Sequence, residues 1–292
     1  MLNGHGGNIY DIAHRLGCMP SEIIDMSSNV NPLGPPPGLV NFLKQKINVI
    51  TALPQVDANL LVLSFADRYG VDPATVLAGN GSTQFIYSIP LALRIKRALI
   101  LGPTYADYAD ACSMHNIYFE YFIARESQGF KADINLIKKG VKGFDTVFIC
   151  NPNNPTGTLY PGAEIESLCR ALPDTCFVID ESYLPFVTAG EHDSMMGRGL
   201  PNVIILNSMS KIFRISGLRI GFIIASKSVI ETLTHYSLPW SVNALAQAGV
   251  RYLMEHKAEV NAFIDQTQKL IENEKNRFAE KLENATGLKL FA

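Results

Sequence analysis

The sequence has no cysteine pair of the CxxC type, no unbroken apolar run of membrane-spanning length and no stripe of basic residues. Its longest apolar region, FIYSIPLALRIKRALILG, is interrupted by a proline and three basic residues, which argues against a membrane span. The sequence has 25 Lys and Arg residues and 27 Asp and Glu residues, so its net charge is -2. No nucleic-acid partner is therefore expected. The stretch MLNGHGGNIYDIAHRLG lacks the apolar core of a signal peptide, so none is expected.

The cysteines are odd in number and follow no pattern. Such a set is typical of a reducing cytoplasm, where disulfides are rare. It also provides no zinc site, so no metal is expected. The five are Cys18, Cys112, Cys150, Cys169 and Cys176.

Short apolar runs rich in β-branched residues alternate with longer amphipathic stretches along the chain. The runs are TVLAG, RALILG, IYFEYFI, TVFIC, CFVID, VIILN and RIGFIIA. Continuously apolar strands that alternate with helices indicate a largely parallel sheet covered on both faces. With 292 residues, 47% of them hydrophobic, the chain can also bury a large core. We therefore predict an α/β fold with a mostly parallel seven-stranded sheet and helices on both faces.

Polar motifs follow three of these strands at the point where each strand ends. NPNNPTG comes after TVFIC, Glu181 to Tyr183 after CFVID, and NSMSK after VIILN. In open α/β sheets the ligand crevice lies beyond the carboxyl ends of the strands. The three motifs therefore predict a cofactor site at that edge.

Lys211 has two interpretations. It could be a lysine that stands by chance in a polar loop after a strand. Alternatively it is a reactive amine, because a lysine becomes a nucleophile when burial or a nearby cation lowers its pKa. Ser208, Ser210 and Arg219 close by offer the hydroxyl and guanidinium donors that bind a phosphate.

Three further segments carry the same ambiguity between structure and function. Gly81, Ser82 and Thr83 open a helix after a strand, which is typical of an anion site but equally of an ordinary helix cap. Asp180 ends a buried strand and needs a cationic partner, either a structural arginine or a protonated ring nitrogen. Tyr105, in GPTYADY, could begin a helix or lay its ring against another flat ring.

The motifs NPNNPTG, DESY, SMSK and GLRIG occur together, in an order and at gaps that resemble the fold-type I family of pyridoxal 5'-phosphate (PLP) enzymes, which includes the class I/II aminotransferases. The resemblance implies a PLP-dependent transferase fold of the aspartate aminotransferase type. It implies that Lys211 holds PLP as a Schiff base and that Asp180 holds the pyridinium nitrogen. Asn154 and Tyr183 would bind the ring hydroxyl, and Tyr105 would stack on the ring. The phosphate would be held by Gly81, Ser82, Thr83, Ser208, Ser210 and Arg219.

Other segments resemble a narrower group within this family. HGGNIYDIAHRLG and SSNVNPLGPP are similar to the threonine-phosphate decarboxylase of cobalamin biosynthesis, and LPWSVNALAQAG to that enzyme and to histidinol-phosphate aminotransferase. By this resemblance His5 and Gly6 would approach the phosphate of a small phosphorylated amino acid, and Asn31 its carboxylate. The expected reaction is decarboxylation of L-threonine O-3-phosphate to aminopropanol phosphate.

Three alternatives stay open. The chain could be an aminotransferase acting on histidinol phosphate or a related amine, or a PLP-binding protein without turnover. A simple nucleotide-binding α/β domain is a third, although no nucleotide fingerprint is present. Carbon dioxide release, as opposed to conversion of PLP to its pyridoxamine form, would separate the decarboxylase from the aminotransferase.

The chain departs from the pattern of its relatives at three points. Leu53-Pro54 stands where they usually carry Tyr-Pro, and Arg214 where they often have a small residue. Relatives also continue beyond Ala292, and that part supplies the arginine that clamps the substrate carboxylate. The chain is therefore expected to be either a fragment or a natural shortened member.

The resemblance also implies a division of the chain and an assembly. Residues 1–40 would belong to a small domain, residues 41–240 would form the large PLP-binding domain, and residues 241–292 an interdomain helix with an incomplete small domain. Since active sites of this family lie between subunits, a homodimer is expected.

Overall fold

A computed structural model describes residues 6–188, 190–283, 289 and 291 of the chain. Its helices and strands alternate as the apolar runs predict. The strands are β1 Val76–Gly79, β2 Arg97–Gly102, β3 Tyr118–Ile123, β4 Thr146–Cys150, β5 Cys176–Asp180, β6 Val203–Ser208 and β7 Gly221–Ile224. The helices are α1 Ile9–Leu16, α2 Pro37–Gln45, α3 Asn59–Tyr69, α4 Gly81–Ala92, α5 Asp107–Met114, α6 Ile134–Gly140, α7 Gly162–Ala171, α8 Met209–Ile212, α9 Lys227–Thr234, α10 Ala244–Glu255 and α11 Lys257–Leu282.

All seven strands form one sheet in the order β1-β7-β6-β5-β4-β2-β3. The pairs from β6 through β5, β4 and β2 to β3 are parallel, whereas β7 runs antiparallel to both of its neighbours. The prediction of a mostly parallel seven-stranded α/β sheet is confirmed. The division of the chain at residues 40 and 240 stays a prediction.

The sheet carries an apolar core on each face because side chains alternate along its buried strands. Val147 and Ile149 of β4 point to one core, and Phe148 points to the other. Helices α4, α5 and α9 cover the second face, whereas α3, α7 and α10 pack on the first. Burial on both faces explains the apolar runs of β2, β4, β5, β6 and β7, whereas the edge strand β3 is largely exposed.

The strand directions bring several chain segments to one edge of the sheet. The carboxyl ends of β2, β4, β5 and β6 meet there because these strands are parallel. β1 is antiparallel to β7, which is itself antiparallel to β6, so β1 also ends at this edge and β7 begins there. The predicted motifs follow these very ends, so the topology brings them together.

At this edge the backbones of β7 and α4 approach so closely that a side chain would not fit. A Cβ atom on Gly221 would lie 2.3 Å from the backbone nitrogen of Ser82 and 2.7 Å from the carbonyl carbon of Gly81. Only glycine permits such an approach without moving the backbone. Gly221 therefore fixes how near the start of β7 lies to the start of α4.

None of the described helices is long and apolar enough to cross a membrane.

The substitution Gly221→Ala is expected to lower the free energy of unfolding by about 2–3 kcal/mol, because the added methyl group would displace the backbone of α4. Urea unfolding followed by circular dichroism measures this change. Gly217→Ala is the matched control, since a Cβ there meets nothing within 4 Å. Equal stability of the two variants would show that the approach of β7 to α4 is not tight.

Candidate active site

A cavity of about 360 Å³ opens at the edge where the strand ends meet. All but two of the residues predicted for the site line it. They are Gly6, Gly81, Ser82, Thr83, Tyr105, Asn154, Asp180, Tyr183, Ser208, Ser210, Lys211 and Arg219. Of the other two, His5 lies outside the described residues, and Asn31 does not line the cavity.

Asp180, the last residue of β5, is the buried carboxylate of the site. Its Oδ2 accepts a hydrogen bond from the Tyr108 hydroxyl at 2.8 Å, and its Oδ1 accepts one from the Ser182 backbone N–H at 2.9 Å. Burial raises the pKa of Asp180, while the hydrogen bonds from Ser182 and Tyr108 and the charge of Lys211 oppose that rise. A cation in the cavity would therefore stabilise the ionised form of Asp180.

Lys211 lies on the short helix α8, directly after β6. Ser208 caps the start of this helix, and its hydroxyl oxygen accepts a hydrogen bond from the Ser210 backbone N–H at 3.3 Å. Burial lowers the pKa of the Lys211 amine, and the Arg219 charge lowers it too, against the opposing charges of Asp180 and Asp107. A lowered pKa increases the neutral, nucleophilic fraction of an amine.

One end of the cavity has the donors that an anion needs. The helix α4 begins there at Gly81 and presents the backbone N–H groups of its first turn. The Ser210 hydroxyl is buried and has no hydrogen-bond partner among the described residues. The Arg219 guanidinium packs so closely that a Cβ on Gly81 would lie 2.7 Å from its Nη2. Gly81 is thus required for the guanidinium to reach this place.

Arg219 holds a backbone conformation that a residue with a Cβ rarely adopts. Its φ is 55°, in the left-handed region, and its Nη1 donates to the Ser216 carbonyl at 3.3 Å. Backbone strain of this kind occurs mostly where it serves a ligand or a reaction. Here it orients the guanidinium toward Gly81 at the start of α4.

Aromatic and amide groups form the wall near Asp180. The Tyr105 ring meets the Tyr108 ring edge-on, at 5.9 Å between centroids and 84° between planes. Burial raises the pKa of Tyr183 to about 12, with Cys150 and Asp180 adding to the effect and Asn29 opposing it. Tyr183 is therefore a neutral hydroxyl at pH 7 and can donate a hydrogen bond.

Tyr108 and Asn29 are among the cavity-lining residues that were not predicted from the sequence. Tyr108 supplies the hydroxyl on Asp180, and Asn29 donates from Nδ2 to Oδ1 of Asn154 at 3.1 Å and lines the cavity. Tyr108 belongs to the same motif, GPTYADY, as the predicted Tyr105, so this motif could have pointed to it. For Asn29 the irregular segment SSNVNP offers no periodicity.

The amide of Asn31, predicted to approach a substrate carboxylate, faces the core. Its Nδ2 donates to the Ile212 carbonyl at 2.7 Å and to the Thr267 hydroxyl at 2.8 Å, and its Oδ1 accepts from the Leu33 N–H at 2.9 Å. All of its polar positions are therefore occupied within the protein.

Leu53 and Arg214, the two residues at which the sequence departs from its relatives, lie in different surroundings. Leu53 is 76% exposed and does not line the cavity. Arg214 has a left-handed φ of 47° and donates from Nη1 to the Asn31 carbonyl at 3.3 Å. Arg214 thus ties the turn after Lys211 to the N-terminal segment.

Glu181 follows Asp180 in the chain and is also buried. Its carboxylate accepts hydrogen bonds from the Ser194 hydroxyl and from the Met195 backbone N–H, both at 2.6 Å. Burial raises the pKa of Glu181 from 4.5 to about 7, although these two hydrogen bonds oppose the rise. The carboxyl of Glu181 therefore keeps its proton up to a higher pH in the folded chain than in the unfolded chain.

The family model for aminotransferase class I and II matches residues 21–292. The chain is 31% identical to the adenosylcobalamin biosynthesis bifunctional protein CobDQ of Leptospira interrogans, over all of this chain and 34% of that protein. It is 31% identical to the threonine-phosphate decarboxylase of Salmonella typhimurium, over 84% of this chain and 68% of the enzyme. It is 29% identical to the histidinol-phosphate aminotransferase of Moorella thermoacetica, over 87% of this chain and 67% of the enzyme.

A solved structure agrees with these similarities. The L-threonine-O-3-phosphate decarboxylase of Porphyromonas gingivalis superimposes with a TM-score of 0.79 at 32% identity, covering 91% of this chain and 82% of that one. The chain therefore spans about a third of the bifunctional relative and two thirds or more of the decarboxylases.

The substitution Glu181→Gln is expected to flatten the pH dependence of stability. Below pH 4.5 both folded and unfolded wild-type chains hold the proton on Glu181. Between pH 4.5 and about 7 only the unfolded chain releases it, so the free energy of unfolding falls as pH rises, by about 3 kcal/mol in total. Urea unfolding at pH 5 and pH 7.5 should therefore show a smaller decrease in the variant than in the wild type.

The exposed Glu280 supplies the control, since Glu280→Gln should leave the decrease between the two pH values unchanged. If Glu181→Gln shows the same decrease as the wild type, the carboxyl of Glu181 does not titrate in this range.

Proposed function

The chain belongs to the class I and II aminotransferase family, and from this premise we propose that it decarboxylates L-threonine O-3-phosphate with PLP. Members of the family depend on PLP, and the predicted aspartate aminotransferase-like fold is confirmed. The observation that carries the proposed chemistry is the presence of Lys211 and Asp180 in one cavity beside the anion-binding end. It meets the two needs of PLP chemistry, an amine for attachment and a carboxylate for the ring nitrogen.

The residues present fit the cofactor. The buried Ser210 hydroxyl has no partner among the described residues, and Ser210 lines the same cavity as the first residues of α4 and Arg219, where a phosphate would provide an acceptor. The buried carboxylate of Asp180 lacks a cation other than Lys211 among the groups that act on its pKa, and a protonated ring nitrogen would supply one. The two ends of the cavity thus suit the two ends of PLP.

When bound, PLP supplies covalent attachment of the substrate amine and an electron sink for the bond that breaks at Cα. Asp180 would hold the protonated ring nitrogen, with hydrogen bonds from Tyr108 and the Ser182 N–H favouring its ionised form and holding it in place. Tyr105 would lie against the ring, while Asn154 and Tyr183 would donate to its hydroxyl. The lowered pKa of Lys211 favours a neutral amine, which would hold the cofactor and would carry the proton that replaces the lost carboxylate at Cα.

The similarity to decarboxylases supports this substrate. The match to the Leptospira protein of adenosylcobalamin biosynthesis covers the entire chain, including the N-terminal segment that contains Gly6 and Asn29. Both of these residues line the cavity. Asn29, whose amide is exposed and faces Asn154, is the better placed of the two nearby asparagines to approach a substrate.

An aminotransferase acting on histidinol phosphate is the second candidate. Its support is the 29% identity to the Moorella enzyme over 87% of this chain. Both reactions use the same lysine and the same ring contacts. They differ in which bond at Cα is broken, so only the products separate them.

We propose that the chain forms a homodimer through an apolar patch of Leu53, Val56, Leu238 and Trp240. Leu53 and Leu238 are 76% and 74% exposed, and Trp240 is 48% exposed. The backbone N–H of Trp240 donates to the Val56 carbonyl at 2.9 Å. This bond joins the segment of Leu53 and Val56 to the segment of Leu238 and Trp240. Exposed apolar groups of this kind are typical of protein interfaces.

The patch lies next to the anion-binding end of the cavity. Nδ2 of Asn80, the residue before Gly81, donates to the carbonyl of Ser241, the residue after Trp240, at 3.2 Å. A second copy bound at the patch would therefore stand close to the phosphate-binding residues, as expected of an active site between subunits.

The function is tested by spectroscopy and product analysis of purified protein with added PLP. We expect a visible absorbance band of lysine-bound cofactor that changes when L-threonine O-3-phosphate is added, with release of carbon dioxide and formation of aminopropanol phosphate. Lys211→Ala should abolish both the band and product, because Lys211 is the one lysine among the described residues that line the cavity. Conversion of PLP to its pyridoxamine form without carbon dioxide would identify an aminotransferase instead. An unchanged band in Lys211→Ala would refute the role of this lysine.

The dimer is tested by light scattering after size exclusion. The wild type should have twice the chain mass of 32.1 kDa. Trp240→Glu should shift it toward the monomer, because a charge would be buried in the interface. Phe278→Glu on α11, another exposed aromatic residue, is the matched control and should remain dimeric. A monomeric wild type at micromolar concentration would contradict the proposal.

A further inference from the structure

Asn31 and Thr267 form a buried polar pair inside an apolar core, 236 residues apart in the sequence. Both are 0% exposed. Asn31 Nδ2 donates to Thr267 Oγ1 at 2.8 Å, and Thr267 Oγ1 donates in turn to the Phe263 carbonyl one turn earlier in α11, at 2.9 Å. Two fully buried polar side chains are costly unless every group is paired, so the pairing is a strong constraint on the segments that carry them.

The pair holds the helix that carries Lys211. The Asn31 backbone N–H donates to the Lys211 carbonyl at 3.1 Å, and its Nδ2 donates to the Ile212 carbonyl at 2.7 Å. Helix α8 has only four residues, too few to be stable by itself. The following turn supplies part of the donors that its last carbonyls need, since the Arg214 N–H donates to the Lys211 carbonyl at 3.3 Å. Asn31 supplies donors to two consecutive carbonyls, one of which is that of Lys211.

The orientation of the Asn31 amide is determined by its partners. Oδ1 must be the acceptor for the Leu33 N–H, and Nδ2 must be the donor to the Ile212 carbonyl. Turning the amide toward the cavity would break the bonds to Ile212 and Thr267, so the Ile212 carbonyl would lose this donor and Thr267 Oγ1 would keep only its bond to the Phe263 carbonyl. The geometry therefore opposes a direct contact between Asn31 and a substrate.

We propose that Asn31 is a positioning residue for Lys211, and that Thr267 connects this contact to α11. The inference rests on the proposed attachment of the cofactor to Lys211. Asn31 joins three segments at one point: the N-terminal segment, the turn that carries the lysine, and the long helix α11. Through these bonds the amine of Lys211 is held at a fixed place relative to Asp180. Loss of the bonds would let α8 shift and would slow each step that needs the amine.

The test compares four variants with the wild type in both readouts and adds a fifth in the second. Asn31→Ala removes the side-chain bonds to Ile212 and Thr267 but keeps the backbone bond to Lys211. Thr267→Val removes the hydroxyl while keeping the shape of the side chain. Thr267→Ser keeps the hydroxyl and serves as the rescue. Asn48→Ala, at an exposed asparagine, is the neutral control.

The first readout needs no substrate. Protein is incubated with PLP and reduced with borohydride, and the fraction of Lys211 that carries the reduced adduct is measured by peptide mass spectrometry. We expect this fraction to fall in Asn31→Ala and in Thr267→Val, to recover in Thr267→Ser, and to remain that of the wild type in Asn48→Ala. Urea unfolding of the same samples shows that the variants are folded at the time of labelling.

The second readout is turnover of L-threonine O-3-phosphate. Asn31→Ala should lower kcat by on the order of 10-fold to 100-fold, because a small displacement of a reacting group has an effect of this size, and KM should change little. Asn29→Ala provides the contrast, since loss of an amide in the cavity should raise KM.

The results that would contradict the positioning role of Asn31 differ from those that would contradict the proposed function. A raised KM with unchanged kcat in Asn31→Ala would make Asn31 a substrate ligand. Wild-type adduct levels in both Asn31→Ala and Thr267→Val would refute positioning alone. If Asn31→Ala does not fold, the Thr267→Val and Thr267→Ser pair decides, because both keep the Asn31 side chain. No adduct on Lys211 in the wild type would refute the proposed function itself.

Discussion

The structure of the site depends on a carboxylate that is buried at the end of a central strand. Removing Asp180 from water raises its pKa, and the protein opposes this with a hydroxyl, a backbone N–H and a nearby amine. The same burial lowers the pKa of that amine, Lys211. The two groups therefore stabilise each other's charge, and a cationic ring placed against Asp180 would release Lys211 to act as a neutral nucleophile.

The anion-binding end is built by close packing rather than by a long loop. Gly221 lets β7 begin against the first turn of α4, and Gly81 leaves room for the guanidinium of Arg219. Arg219 in turn adopts a left-handed backbone conformation. These three features depend on one another, since a side chain at either glycine would displace the groups that surround the Ser210 hydroxyl. The site is thus fixed by the backbone before any ligand binds, which reduces the entropic cost of binding.

Much of this arrangement could be predicted from the sequence, because parallel strands bury both faces. Each of the seven apolar runs forms a strand, and the polar motifs after them meet because parallel strands end at the same edge. The N-terminal segment behaves differently. SSNVNP has no helix or strand period, so nothing in the letters shows that Asn29 faces the cavity while Asn31 faces the core. That choice is made by partners such as Thr267, which lies more than 200 residues away in sequence.

Asn29 and Asn31 also show how one short segment can serve two purposes. Asn31 is held by the carbonyls of α8, and this anchors the backbone from which Asn29 projects. The amide of Asn29 then meets Asn154, on the loop that follows β4. Asn31 contacts the turn that carries Lys211, and Asn29 contacts Asn154. Because the two asparagines are only two residues apart, the chain between them sets the distance between Lys211 and the Asn29 amide. A substrate bound between them would be oriented by the same backbone that positions the amine.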